Sequence, residues 1–361
     1  MRISSCLALV LCGSFISAQA ADLPPGVVAE ELIYTEPPHP QCHASTIVET
    51  KDGNLAAAWF GGTKEGAKDV GIWFARKTKD GWTKPVEVAN GKQPGDKQHP
   101  CWNPVLFQMP RLGNQDESLA ASLLLFYKVG PSPSTWWGEV IRSLDNGLTW
   151  SKPEKLPAGI LGPIKNKPIL LKDGMLLCGS STEHAGWQVH METSKDAGHS
   201  WTKTAPLCDG KTQHAIQPTI LQTKKGLTIL CRTRTPGKIL QATSQDNGAT
   251  WSELTPMDLV NPNSGIDGVT LKDGRQLLVY NHTQKGRSPL NVAVSTDDGG
   301  TWQAAAVLEN TPGEYSYPAV MQSGDGLLHI TYTWKRQRVK HVTLDPAKLE
   351  LKPIVDGAWP K

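Results

Sequence analysis

The chain has 361 residues, with 34 glycines, 27 prolines, 13 tryptophans and a formal net charge of +3. So small a charge, without a long basic run, gives no support to a nucleic-acid partner. The length allows one large domain or two ordinary ones. In chain order, the first feature is an export leader: Arg2, a mostly apolar run from Leu7 to Ile16, and a small-x-small site at Ala18-Gln19-Ala20. That run is too short to span a bilayer. Residues 1–20 are therefore predicted to be removed, leaving 21–361 as one secreted or periplasmic domain with no membrane partner.

Five cysteines follow the leader: Cys42, Cys101, Cys178, Cys208 and Cys231. An oxidising compartment permits disulfides, and an odd number leaves at least one thiol free. A Cys42–Cys101 bridge and buried thiols in strands are the two readings. No C-x-x-C pair occurs, and neither a metal nor a cofactor is expected.

An eight-residue turn recurs: SLDNGLTW from Ser143, SKDAGHSW from Ser194, SQDNGATW from Ser244 and STDDGGTW from Ser295. Repeats of this period indicate propellers or arrays. Each turn closes a unit. First strands read HASTIVET (43–50), WNPVLFQM (102–109), IKNKPILL (164–171), AIQPTILQ (215–222), SGIDGVTL (264–271) and YSYPAVMQ (315–322). Second strands read LAAAWFGG, LLLFYKVG, MLLCGSST, LTILCRTR, QLLVYNHT and LLHITYTW. Their Val, Ile, Thr and aromatic content favours strands over helices. Six such units predict an all-β, six-bladed β-propeller. Unit one carries a degenerate turn, TKDGW (78–82), unit six has lost it, and AEELIYTE (29–36) supplies the outer strand that closes the ring. The repeated turn is structural: Asp bonds the backbone two residues on, Gly takes a positive φ, and Trp packs between sheets. Function is expected on the opposite face.

These repeats resemble the sialidase (neuraminidase) superfamily with its Asp boxes, over nearly the whole mature chain. The resemblance implies a site on the axis, where three arginines hold a substrate carboxylate, a Tyr activated by a Glu attacks, and an Asp is the acid/base. A guanidinium fork matches a carboxylate, and a neutral Tyr suits attack beside an anionic group.

Position by position, the first family arginine falls at CHAST, where His43 stands. The acid/base falls at Asp69, with Glu65 as a rival, and the activating Glu falls at Gln217, before Pro218. The second arginine falls at Arg232 or Arg234, the third at Arg287, and the Tyr at Tyr315, with Tyr317 two residues on. His43, Asp69, Tyr315 and Gln217 are thus the expected catalytic positions. Arg232, Arg234 and Arg287 are the expected substrate ligands, joined by Asn103, Lys165, Lys167 and Arg336. Lys165 and Lys167 share a strand face by alternation. Asn166, Glu183, His184, Asp267, Asn281, His282 and Arg338 sit on the same face, and Trp136 and Trp137 offer sugar-stacking surfaces. An amide at 217 cannot take a proton from a phenol, whereas His43 adds an imidazole that can work near neutral pH. A central His also resembles propellers that cut rhamnose–glucuronate linkages.

The expected partner is a glycan bearing an anionic sugar. Three readings follow: an exo-acting glycoside hydrolase of sialidase type, a uronate-directed lyase or rhamnose–glucuronate-cleaving enzyme, and a non-catalytic glycan-binding propeller.

Overall fold

A computed structural model describes residues 23–110, 122–235 and 237–360. The leader predicted at 1–20 lies outside them. Six antiparallel sheets follow one another around an axis. Their innermost strands are Gln41–Glu49, Cys101–Gln108, Ile169–Leu170, Ala215–Thr223, Asp267–Thr270 and Tyr315–Gln322. The second strands are Leu55–Gly62, Leu123–Val129, Leu176–Thr182, Gly226–Thr233, Gln276–Tyr280 and Leu328–Trp334. Blade 6 is completed by the start of the chain: Val27–Leu32 pairs antiparallel with Arg338–Leu344, as the sequence predicts. Among the described residues, no helix is long and apolar enough to cross a membrane.

The continuous apolar runs follow from burial on both faces. In the second strand of blade 2, Leu123, Leu125, Tyr127 and Val129 pack towards blade 1. The alternate Leu124 and Phe126 pack towards blade 3. Period two thus divides one strand between two inter-blade cores. Separate apolar clusters fill the remaining boundaries around the ring.

The four box turns form one hydrogen-bonded unit. Ser143 Oγ donates to Asp145 Oδ1 (2.7 Å) and accepts from the Gly147 N–H (2.8 Å). Asp145 accepts from the Thr149 N–H (2.9 Å) and hydroxyl (2.6 Å). The same bonds recur around Asp196, Asp246 and Asp297. The carboxylate therefore reaches four residues on, rather than the expected two. Asn146 (φ 60°) and Gly147 (φ 85°) are both left-handed, and a Cβ on Gly147 would stand 2.3 Å from the Phe74 ring.

The structure selects the thiol reading over the bridge and corrects one predicted strand. All five cysteines are free: Cys42 faces the core between blades 6 and 1, and Cys101 the core between blades 1 and 2. Burial pushes the Cys42 thiol up to about 12. In blade 3 the predicted inner strand over 164–171 survives only at Ile169–Leu170.

Candidate active site

The inner strands carry a device that sets the axial face. Ala44 (φ 55°), Asn103 (φ 35°), Gln217 (φ 56°) and Tyr317 (φ 52°) are all left-handed. The register shifts between His43 and Thr46, Ile216 and Thr219, and Ser316 and Ala319. Three of these residues precede a proline: Pro104, Pro218 and Pro318. Proline cannot donate to the ladder, so a bulge forms, and a bulge re-aims a side chain.

Tyr317 lies at the centre of this face. Its hydroxyl accepts from Arg232 Nη1 (3.0 Å) and Gln217 Nε2 (3.4 Å). The His43 ring lies 4.2 Å from its ring, centroid to centroid. Lys165 Nζ, Arg232 and Arg287 stand 5.9, 5.4 and 5.6 Å from the same ring. This corrects the choice of Tyr315. Alternation places positions 315 and 317 on one face, but the bulge between Ser316 and Ala319 breaks that alternation. Tyr315 is buried in the core between blades 5 and 6, and its hydroxyl bonds Thr311 Oγ1 at 2.7 Å.

His43 is 2% exposed, and its Nδ1 meets Thr333 Oγ1 at 2.9 Å. Its Nε2 has no protein partner among the described residues. Burial, then the charges of Arg336, Arg287, Arg232 and Lys165, hold its pKa well below 6.5, so the ring is neutral at pH 7. Blade 6 brings Arg336 close enough for its charge to act on His43. Arg336 Nε donates to Glu314 Oε1 (2.8 Å), Arg336 Nη1 pairs with Glu65, and Arg287 Nη1 donates to the same Glu314 oxygen (3.0 Å). Arg232 differs. It stacks on Trp187 at 5.0 Å and has no ion pair among the described residues. Its Nε and Gln217 Oε1 are buried without a partner.

The two lysines converge on the axis, although not as neighbours on a strand. Lys165 Nζ donates to Asn166 Oδ1 (2.8 Å), the Ile266 carbonyl (2.8 Å) and the Pro318 carbonyl, so it joins blade 3 to blades 5 and 6. Burial brings its pKa down to about 7. Lys167 pairs with Asp267 at 3.2 Å, and Asp267 also accepts from the Thr219 hydroxyl (3.0 Å) and the Val320 N–H (2.9 Å). Asn103 is buried on the inner strand of blade 2. Arg234 lies exposed at the rim.

Asp69 lies in the loop that follows the second strand of blade 1. It is exposed and caps its own loop, accepting from the Thr63 N–H (2.9 Å) and hydroxyl (2.6 Å). Those bonds lower its pKa. Glu183, just past the second strand of blade 3, is half-buried within reach of the Trp187 indole. Burial raises its pKa, against the pull of Arg232 and Arg234. Sequence reasoning gave no role to Thr333, Glu314 or Trp187, which hold His43, two arginines and Arg232 respectively. A surface cleft of about 660 Å3 lies elsewhere, bordered by Met257, Trp302 and Ile354 between blades 4 and 5.

A model of the BNR repeat-like domain matches residues 53–330. A sialidase of Bacteroides fragilis is 24% identical over 233 residues, covering 58% of this chain and 41% of that protein. The chain thus spans about two fifths of the curated relative it matches. A protein of unknown function from Dyadobacter fermentans superposes with a TM-score of 0.71 at 18% identity, covering 88% of this chain and 98% of its own. The Hadza microbial sialidase Hz136 gives a TM-score of 0.71 at 17% identity, covering 86% and 67%. These likenesses establish the fold, and the family match extends over well more than half of the chain. The chain belongs to the BNR repeat-like family, as a sialidase-like six-bladed propeller.

Proposed function

We propose that the protein is an exo-acting glycosidase of sialidase type that removes a terminal acidic sugar, a nonulosonic or uronic acid, from glycans outside the cytoplasm. The observation that carries this reading is the set of three guanidiniums, Arg232, Arg287 and Arg336, gathered about the Tyr317–His43 pair. A carboxylate meeting two or more of them gains charge-assisted bonds. The sialidase names of several relatives agree with it.

The chemistry departs from a tyrosine nucleophile. Gln217, in place of a carboxylate, cannot remove the Tyr317 proton. Tyr317 and Arg232 instead place polar groups beside the positive, oxocarbenium-like centre and its carboxylate. Neutral His43, with its free Nε2, is the base for an attacking water. The test is incubation with sialylated and uronate-capped oligosaccharides, followed by chromatography, with His43→Ala in parallel. Release of the acidic sugar by the wild type, lost in the variant, is expected. Activity untouched by His43→Ala would remove His43 from the mechanism, and unchanged glycans would leave only binding.

The close His43–Tyr317 contact favours a second reading, a uronate lyase. There the arginines neutralise the carboxylate, His43 takes the adjacent C–H proton, and the glycosidic bond breaks by elimination. The product then absorbs in the ultraviolet, which hydrolysis products do not.

A further inference from the structure

Hydrolysis at this site needs a proton for the departing oxygen, and the arrangement of carboxyl groups narrows the source. Glu314 is shared between Arg287 and Arg336, and Glu65 is paired with Arg336. Asp267 is paired with Lys167, and Asp69 is closed on Thr63. Glu139 accepts from the Tyr127 hydroxyl (2.8 Å) and the Trp137 indole (2.8 Å). Glu192 is buried under two backbone N–H groups and His190. The Lys165 ammonium spends its hydrogens on Asn166 and two carbonyls. Of these carboxyl groups, Asp69, Glu139 and Glu183 have no ion pair among the described residues, and of the three only Glu183 is bonded by neither a hydroxyl nor a backbone N–H there.

Its place in the fold suits proton donation. The second strand of blade 3 ends at Thr182, so Glu183 occupies the rim level that Arg234 and Arg336 occupy on blades 4 and 6. It faces Arg232, Arg234 and the Trp187 indole, and Trp187 lies under the Arg232 guanidinium. Glu183 therefore sits beside the arginine that has no counter-ion. Its two neighbours in sequence, Thr182 and His184, line a cleft of about 340 Å3 between blades 2 and 3, walled by Trp137, Leu161 and His190.

We propose that Glu183 is the proton donor for glycosidic cleavage at this site, a role that rests on the hydrolase reading above. As the bond between the anomeric carbon and the leaving oxygen breaks, its electron pair stays on that oxygen, which takes the Glu183 proton. Water bonds to the anomeric carbon and gives its proton to His43. Exchange with solvent then returns a proton to Glu183 and removes one from His43. A carboxyl group whose pKa burial raises, and an imidazole whose pKa burial and cations lower, are the pair such a reaction requires.

The test compares Glu183→Gln with the wild type on two substrates carrying the same acidic sugar. One is a natural oligosaccharide, whose leaving alcohol needs a proton. The other is a nitrophenyl glycoside, whose leaving phenolate does not. Glu183→Gln is expected to lower kcat on the oligosaccharide about 100-fold or more with little change in KM, the usual range for losing a general acid. On the nitrophenyl glycoside the loss should stay within about tenfold, and the high-pH limb of the rate profile should disappear. Retained binding of the free acidic sugar, by calorimetry, shows that the variant is folded. Equal losses on both substrates, or none on either, would overturn the role of Glu183. A wild type that cleaves neither substrate would overturn the hydrolase reading itself.

Discussion

Replacing Arg232 with Lys keeps a positive charge on the axis but removes the planar fork. Arg232 is 6% exposed, its nearest bonded partner is the neutral Tyr317 hydroxyl, and its Nε has no partner among the described residues. Its charge is thus free for a ligand. The Lys variant should lose about one charge-assisted hydrogen bond, roughly 2 kcal/mol, or about 30-fold in Kd for a free acidic sugar. Arg287 and Arg336 are different, because both already share Glu314. With part of their charge offset, each should cost about 1 kcal/mol, or about fivefold, on the same change. Calorimetric titration with N-acetylneuraminic and glucuronic acids, with galactose as a neutral control, reads all three variants. A larger loss for Arg287→Lys or Arg336→Lys than for Arg232→Lys would refute the reasoning. So would galactose binding as tightly as the acids.

Gln217→Glu places a carboxylate where the amide now lies 3.4 Å from the Tyr317 oxygen. A fluorinated acidic sugar should then leave a covalent tyrosyl adduct in the variant and none in the wild type, read by mass spectrometry, and an adduct in the wild type would contradict the water mechanism. Gly147→Ala forces a Cβ to within 2.3 Å of Phe74 at a φ of +85°, and should lower stability by about 1–3 kcal/mol. An unchanged melting temperature would show that the box turn yields without cost. Burial lowers the pKa of His39 and of His329 to about 4. The unfolded chain therefore binds these protons from about pH 6.5 downwards while the folded chain does not. Stability is complete above pH 6.5 and should fall by a few kcal/mol as pH drops towards 4. A urea midpoint that stays flat across that window would contradict those pKa values.

The repeat was readable because each of the four box turns is closed by its own Ser, Asp, Gly and Thr or Ser, independently of the rest of the chain. The closing strand was readable because Val27–Leu32 extends a unit that otherwise lacks an outer edge. The choice between Tyr315 and Tyr317 failed for a local reason: the family position was set by alternation, and the Pro318 bulge cancels alternation at that point. A usable signal was present, since Asn103, Gln217 and Tyr317 each precede a proline in an inner strand. For Asp69, spacing could not show that the carboxylate closes its own loop on Thr63. Arg336 was named from the sequence as a candidate ligand, but its sharing of Glu314 with Arg287 exists only in space. Lys165 and Lys167 were expected to share a strand face, but the inner strand of blade 3 begins only at Ile169, and the two side chains reach the axis from an irregular segment instead.

The most direct measurement is a crystal structure of the protein with N-acetylneuraminic or glucuronic acid bound. The account predicts the carboxylate within hydrogen-bonding distance of Arg232 and at least one of Arg287 and Arg336, with the sugar over Tyr317 and Glu183 facing its glycosidic position. An acid held in the cleft beside Trp302, or on the axis without contact to any of these arginines, would contradict it.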